Sequence, residues 1–377
     1  MRLLPGSSAR SSLCVKWAVL SSCRAADTQF RHNMSVPSIP VIYGCAGLEL
    51  SRAELEFFRR SNPIGLILFT RNCEAPDQIK KLIADFKNAV NVVDPLILID
   101  QEGGRVQRLG PPNWPAYPAA GCVAAVANID PAKGLRYMSL LGRLLASDLA
   151  PLGITVNCAP VLDVLQPETH EIIGNRALGD DPSLVTRFGR ALSEGLLAGG
   201  VLPVIKHLPG HGRARVDSHT ELPRVDTPLA ELESVDFLPF HALRDMPLAM
   251  TAHVVFEALD PDRPATTSPR ALQSAVRNRI GYSGLLMSDD ICMRALNGPI
   301  GLRARDAQLA GCDLILHCSG DITEMEVVAG VVRQTSPSTE NLLARAAALR
   351  RSSVQNDGFN AEKTYAALQD ALTGQDE

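Results

Sequence analysis

The sequence predicts a single-domain (β/α)8 barrel, a fold of the α/β class. Three observations carry that prediction. Eight short apolar runs, often β-branched, recur from about Ile39 onward, segments of helical spacing separate them, and no GxGxxG follows the first run. Parallel neighbours need a crossover connection, which the intervening helices supply. Eight such units over roughly 300 residues are the count and size of a closed barrel. A doubly wound open sheet is the alternative, and it lacks its usual glycine-rich fingerprint.

The runs are, in order, "IPVIYG" (39–44), "IGLILF" (64–69), "PLILID" (95–100), "TVNCAPV" (155–161), "LPVIKH" (202–207), "LAMTAH" (248–253), "GLLMSD" (284–289) and "DLILHC" (313–318). Between them, "RAELEFFRR", "PDQIKKLIADFKNAV", "LRYMSLLGRLLASDLAPLG" and "PSLVTRFGRALSEGLLAGG" place apolar residues at i, i+3, i+4 and i+7. That spacing is the mark of an amphipathic helix. No Pro/Ser-rich linker and no repeat interrupts the series, so residues 34–355 read as the barrel domain. Residues 356–377, with "NAEKTYAALQDALTGQDE", read as a surface helix followed by a frayed end.

Of the 377 residues, 46% are hydrophobic and 21% charged, and the net charge is -4. This balance suits an ordinary globular chain and argues against nucleic acid or an anionic membrane as a partner. The nine cysteines form no CxxC pair and are odd in number, which fits free thiols in a reducing compartment. Residues 1–33 carry Arg2, Arg10, Lys16, Arg24 and Arg31 with no acid before Asp27, and Lys16 splits the apolar run. They make a poor secretory signal and also resemble a transit peptide. The preferred reading is a disordered or non-native extension, with Met34 as the functional start. No run approaches the roughly 18 apolar residues of a membrane helix. The expected protein is cytoplasmic, with a monomer favoured.

In a barrel of this type, functional groups sit where the strands end, at the C-terminal face. Asp100, His207, His253, Asp289 and His317 all fall there. "LILIDQEGGRVQRL" follows Asp100 with Glu102, two glycines, Arg105 and Arg108, a set that can grip hydroxyls or form a surface salt-bridge cluster. In "IIGNRALGDDP", Arg176 is either a ligand clamp or an ordinary loop arginine, and "DDP" opens the next helix. "KHLPGHGRARVDSH" is the most specific stretch. Asp217 and His219 are two apart, so in an extended segment they face the same way. An aspartate on one ring nitrogen fixes the histidine tautomer and suits it to proton transfer. The same stretch allows a metal site of His207, His211, Asp217 and His219, since these are zinc-ligand types. In "GYSGLLMSDDICM", Asp290 fits a helix N-cap before "ICMRAL", which leaves Asp289 free as a nucleophile or electrostatic stabiliser.

These residues carry a family resemblance. "KHLPGHGRARVDSH" is similar to the KH-x-PGHG-x4-DSH signature of bacterial β-N-acetylglucosaminidases in glycoside hydrolase family 3 (the NagZ type). "GLILFTRN", "IDQEGGRVQRL", "NCAPVLDV", "IGNRALGDDP", "MTAHVVF" and "GLLMSDD" resemble that family's other blocks in the same order, over roughly residues 36–320. The resemblance implies a single-domain barrel and a retaining exo-enzyme. In it Asp289 is the nucleophile, His219 the acid/base and Asp217 its partner. Asp100, Arg108, Arg176, Lys206 and His207 then hold an N-acetylglucosamine unit of a muropeptide fragment, in peptidoglycan recycling. It implies neither cofactor nor metal. Cys292, Arg279 and Leu208 depart from the usual pattern; none touches a proposed catalytic group, so they bear on substrate fit more than on activity. A metal-dependent hydrolase, a phosphorolytic relative and a non-catalytic sugar-binding barrel are the competing readings.

Overall fold

Eight parallel strands are drawn from the eight apolar runs: β1 Ile39–Tyr43, β2 Pro63–Leu68, β3 Leu96–Ile99, β4 Val156–Asn157, β5 Leu202–Leu208, β6 Leu248–Thr251, β7 Leu285–Met287 and β8 Ile315–His317. The computed structural model describes residues 36–126, 130–218 and 220–373. Residues 1–33, with the extension and start-site expectations, lie outside them. The strands follow one another in chain order, and β8 pairs with β1. A parallel bridge from Met287 to Leu314, with amide bonds from Asp313 and Leu314 to the Leu286 carbonyl, closes the ring between β7 and β8. The fold is therefore a (β/α)8 barrel. Strand β4 is shorter than its run because Pro160 has no N–H to give the ladder.

The helices start where their caps dictate. Helix α1 (Arg52–Ser61) opens on a capping box of Ser51 and Glu54, and α2 spans Pro76–Ala89. In α3 (Pro131–Leu149) and α4 (Pro182–Ala198), Asp130 and Asp181 accept from the first-turn amides and a proline fills the first position. Glycines bring α3 and α4 together. A Cβ at Gly142 would run into the Leu192 carbonyl, and one at Gly195 into the Ser139 carbonyl. Helices α5 (Ile300–Ala310) and α6 (Ile322–Ala329) flank β8 in sequence, and α7 (Pro337–Ser352) and α8 (Ala361–Thr373) end the chain.

Strand alternation sorts the apolar residues into two cores. Ile42, Leu98, Val204, Met250, Met287 and Leu316 belong to the cluster inside the barrel, where Ala346 of α7 joins them. Their neighbours Tyr43, Ile99, Ile205, Ala249, Leu286 and Ile315 belong to the shell between strands and helices. Continuing the inward row two residues past Leu98, Val204 and Met287 reaches Asp100, Lys206 and Asp289. The same pleat that fills the barrel thus delivers its polar groups to one end.

The tail is tied down. Leu368 of α8 is buried, Tyr365 meets the Tyr117 ring edge-on at 5.6 Å, and its hydroxyl donates to the Ala116 carbonyl at 3.0 Å. Arg143 of α3 grips Asp357 with a bond of 2.9 Å. Leu368→Ala is expected to cost about 2–5 kcal/mol, as buried Leu→Ala changes do, read as a lower Tm. A loss within about 0.5 kcal/mol, typical of surface changes, would mean that α8 adds nothing to the barrel.

Candidate active site

The loop after β3 builds one wall of the site. Gly103 (φ 92°) and Gly104 (φ 61°) take left-handed conformations, so the chain turns back at once and Gln101–Gly103 pairs with Val106–Gln107. Buried Gln101 staples this hairpin: its side-chain Oε1 accepts from the Arg108 and Leu109 amides at 2.9 and 3.0 Å. Asn157 of β4 holds the Gln101 backbone in both directions, at 3.0 and 2.8 Å. Arg108 is thereby returned to Asp100, with Nη2 at 3.1 Å from Oδ2.

Lys206, at the upper end of β5, completes the wall. Its ammonium lies 2.6 Å from Glu102 Oε1 and 3.2 Å from Asp100 Oδ1. Arg176 grips Glu102 from the other side through two bonds of 2.8 and 2.9 Å. Only 3% of the Lys206 side chain and 4% of that of Glu102 reach solvent, so these charges must neutralise one another. Burial opposes ionisation of both acids. Lys206 with Arg108 nevertheless holds the Asp100 carboxyl below its ordinary value, and Lys206 with Arg176 does the same for Glu102.

A second buried acid orients the histidines. Asp163 Oδ2 lies 2.7 Å from His207 Nδ1, while its Oδ1 accepts from the His207 and His211 amides at 3.1 and 2.7 Å. Burial alone would raise the Asp163 carboxyl, but His207 and the bonds it receives bring it to about 2. His207 is thus held with Nδ1 toward an anion and Nε2 free to face the pocket. Burial lowers His211 to about 4, so it is neutral at physiological pH, and its Nε2 lies 3.2 Å from Ser218 Oγ.

Asp289 stands just past β7. Burial opposes its charge, but His253 and His207, the Asp290 amide donating to Oδ1 at 2.8 Å, and Lys206 bring its carboxyl below the ordinary value. Asp290 does not cap a helix. Residues 291–299 turn and reach α5 only at Ile300; the Ile291 carbonyl, which a helix would pair with the amide four residues on, accepts from Arg303 Nη1 of α5 at 3.1 Å instead. Its Oδ1 accepts from the Cys292 and Cys318 amides at 3.0 and 3.1 Å, and so fastens the turn after β7 to the end of β8.

Asp100, Arg108, Arg176, Lys206, His207 and Asp289 all line one pocket of about 400 Å³ at the barrel mouth, with Val106, Ile172, Ile173 and Met293 as apolar lining. Buried Arg108 Nε and His211 Nδ1 have no hydrogen-bond partner within the protein. Asp217 lies close by in sequence, but the segment is not extended: its carbonyl accepts from the Thr220 and Glu221 amides, which closes a turn. Ser218 of that turn lines the pocket. His219 lies outside the described residues, and with it the fourth member of the histidine-rich metal foursome. Sequence reasoning passed over Asp163, Gln101 and Asn157. A lone acid in the apolar run "APVLDVL" was the available signal, since a buried carboxylate needs a partner.

The sequence pattern of the glycosyl hydrolase family 3 N-terminal domain matches residues 34–351. The chain belongs to glycosyl hydrolase family 3. It is 39% identical over 298 residues to a β-hexosaminidase from Alkalilimnicola ehrlichii, covering 78% of this chain and 83% of the relative. A β-hexosaminidase from Bordetella pertussis is 36% identical over 330 residues, 85% and 93% of the two chains. Among solved structures, NagZ from Neisseria gonorrhoeae in complex with N-trifluoroacetyl-D-glucosamine superposes with a TM-score of 0.79 at 30% identity, covering 90% of this chain and 99% of that one. The protein is a glycoside hydrolase of the β-hexosaminidase type. Among the described residues no helix is long and apolar enough to cross a membrane.

For this family 3 hydrolase, Lys206→Met removes the cation between Asp100 and Glu102. Removing one partner from a buried pair costs about 3–5 kcal/mol, and the arginine that each acid keeps, Arg108 on Asp100 and Arg176 on Glu102, places this loss toward the lower end. The wild-type carboxyls sit low, so their favourable pairing is full above the ordinary carboxylate range and fades as pH falls. In the variant both rise, and protonation relieves the repulsion. The Tm gap between the two proteins is therefore expected to be widest at neutral pH and to narrow on acidification. A gap that stays constant with pH would show that the ammonium does not compensate these acids.

Proposed function

We propose that this hydrolase is a retaining exo-β-N-acetylglucosaminidase with Asp289 as nucleophile and His219, oriented by Asp217, as acid/base. The observation that carries the reading is the half-buried Asp289 carboxylate, held below its ordinary value and lining a pocket whose two wall acids, Asp100 and Glu102, are already paired with cations. Such a pocket suits a neutral, hydroxyl-rich ring, and the uncommitted Arg108 Nε adds a donor for one of its oxygens. Asp100, Arg108, Arg176, Lys206 and His207 hold the sugar, and the apolar lining accommodates the acetamido methyl. Support for an N-acetylglucosamine unit comes from the N. gonorrhoeae neighbour, whose ligand is an N-acylated glucosamine.

In the first step an Asp289 oxygen attacks the anomeric carbon as the bond to the leaving oxygen breaks. His219 gives its proton to that oxygen, and a glycosyl ester forms. In the second step His219 takes a proton from water, the water oxygen attacks the same carbon, and Asp289 leaves as carboxylate. Ser218, between the two dyad residues, lines the pocket, which supports placing the dyad at its rim. By family resemblance the natural substrate is a cytoplasmic muropeptide fragment in which N-acetylglucosamine is linked to anhydro-N-acetylmuramic acid, met in peptidoglycan recycling.

The test compares wild type and His219→Ala on a disaccharide and on a dinitrophenyl β-N-acetylglucosaminide, with the matching β-glucoside and added phosphate as controls. Dinitrophenolate leaves without a proton, whereas a sugar needs one, worth about 10²–10⁴-fold. The variant should therefore lose far more activity on the disaccharide, and the wild type should prefer the N-acetyl sugar and ignore phosphate. Equal losses on both substrates would end the acid/base assignment. A sugar 1-phosphate product would replace hydrolysis by phosphorolysis.

A further inference from the structure

Behind the pocket wall, on the side built by β7 and β8, three side chains of metal-ligating type converge. Cys292 comes from the turn after Asp289 and Asp290, His317 ends β8, and Glu324 lies in the first turn of α6. One sulfur, one ring nitrogen and one carboxylate oxygen from these residues all lie within 4.8 Å of one another. None of the three lines the sugar pocket.

His317 is the independent observation. Its side chain is wholly buried, and neither ring nitrogen makes a hydrogen bond. Nε2 lies 3.4 Å from Glu324 Oε2, off hydrogen-bond geometry, and Tyr43 fixes the ring edge-on at 5.6 Å. Nδ1 is thus left without a hydrogen-bond partner and Nε2 with only that long contact, which is costly for a buried imidazole unless something else engages it.

We propose that Cys292, His317 and Glu324 form a structural site for one borderline transition-metal ion of the Zn²⁺ class. A mixed sulfur, nitrogen and oxygen set selects such an ion over Mg²⁺ or Ca²⁺. One thiolate and one carboxylate balance its double charge, and water fills the fourth tetrahedral position. The thiol proton leaves to solvent as the metal–sulfur bond forms, so binding releases about one proton per ion at neutral pH. Tetrahedral ligands stand roughly 3.3–3.8 Å apart, so the three must close in slightly. Glu324, 41% exposed and bonded to Ser319 Oγ at 2.8 Å, is the side chain that moves. The ion ties the turn after β7 to β8 and α6. Because the Cys292 amide bonds Asp290, it braces the turn that carries Asp289.

The test titrates the reduced, metal-free full chain with Co²⁺, whose thiolate complexes show an intense near-ultraviolet charge-transfer band. One equivalent should bind with that band, Zn²⁺ should displace it, and Zn²⁺ should raise the Tm. Cys292→Ser should abolish the band and weaken binding at least tenfold. Glu324→Gln, a change at a part-exposed side chain, should keep the band but also weaken binding. Near-ultraviolet circular dichroism of the metal-free variants checks their folding. Absence of stoichiometric Co²⁺ binding would overturn the site. So would binding without a thiolate band, as pocket histidines alone would give, or affinity unchanged in both variants.

Discussion

Lys206 is buried with its ammonium between Glu102 and Asp100, at 2.6 and 3.2 Å, and each of those acids is held from its far side by an arginine. Five charges, three positive and two negative, are thus packed where solvent hardly reaches. Remove Lys206 and each acid keeps only its arginine; remove either acid and Lys206 and an arginine lose a shared partner. The arrangement constrains three loops at once, because Asp100 and Glu102 follow β3, Arg176 follows β4 and Lys206 ends β5. Sugar recognition needs such fixed geometry, since hydroxyls differ between sugars only in direction. The same cation contributes to lowering the Asp289 carboxyl, so in the proposed mechanism it would serve both binding and chemistry.

A second tier supports the first. Asp163 takes three bonds from His207 and His211, and Asn157 and Gln101 hold the hairpin that returns Arg108 to Asp100. Asp290 joins the turn after β7 to the end of β8. Each is a polar group satisfied entirely within the protein, and each fixes the direction of a neighbour that faces the pocket. In contrast, Arg108 Nε and His211 Nδ1 keep hydrogen-bonding capacity that the protein does not fill. Satisfied groups build the frame, and the unsatisfied ones stand beside the pocket proposed to hold the sugar.

Much of the fold was legible because alternation and helical spacing are local signals that survive in one sequence. All eight runs became strands, and the "DDP" cap starts α4 at Pro182. Asp100, Lys206 and Asp289 were legible for the same reason, since they stand at strand ends in register with inward apolar residues. Asp163 was hidden because its partner, His207, lies 44 residues away, and local patterns say nothing of such pairs. Asp217 was placed on an extended segment, yet its carbonyl closes a turn, as glycine-rich loops follow tertiary contacts rather than period. The turn at 291–299 misled for a related reason: its start looks like a capped helix, but Arg303 of α5, twelve residues on, takes the Ile291 carbonyl that a helical turn would use.

The most direct measurement is to incubate the wild-type chain with a fluorinated N-acetylglucosaminyl analogue that forms the glycosyl-enzyme faster than water releases it. Proteolysis and mass spectrometry then locate the sugar. The account predicts one adduct, on Asp289. A label on Asp290 or Glu102, or turnover of the analogue with no covalent intermediate, would contradict it.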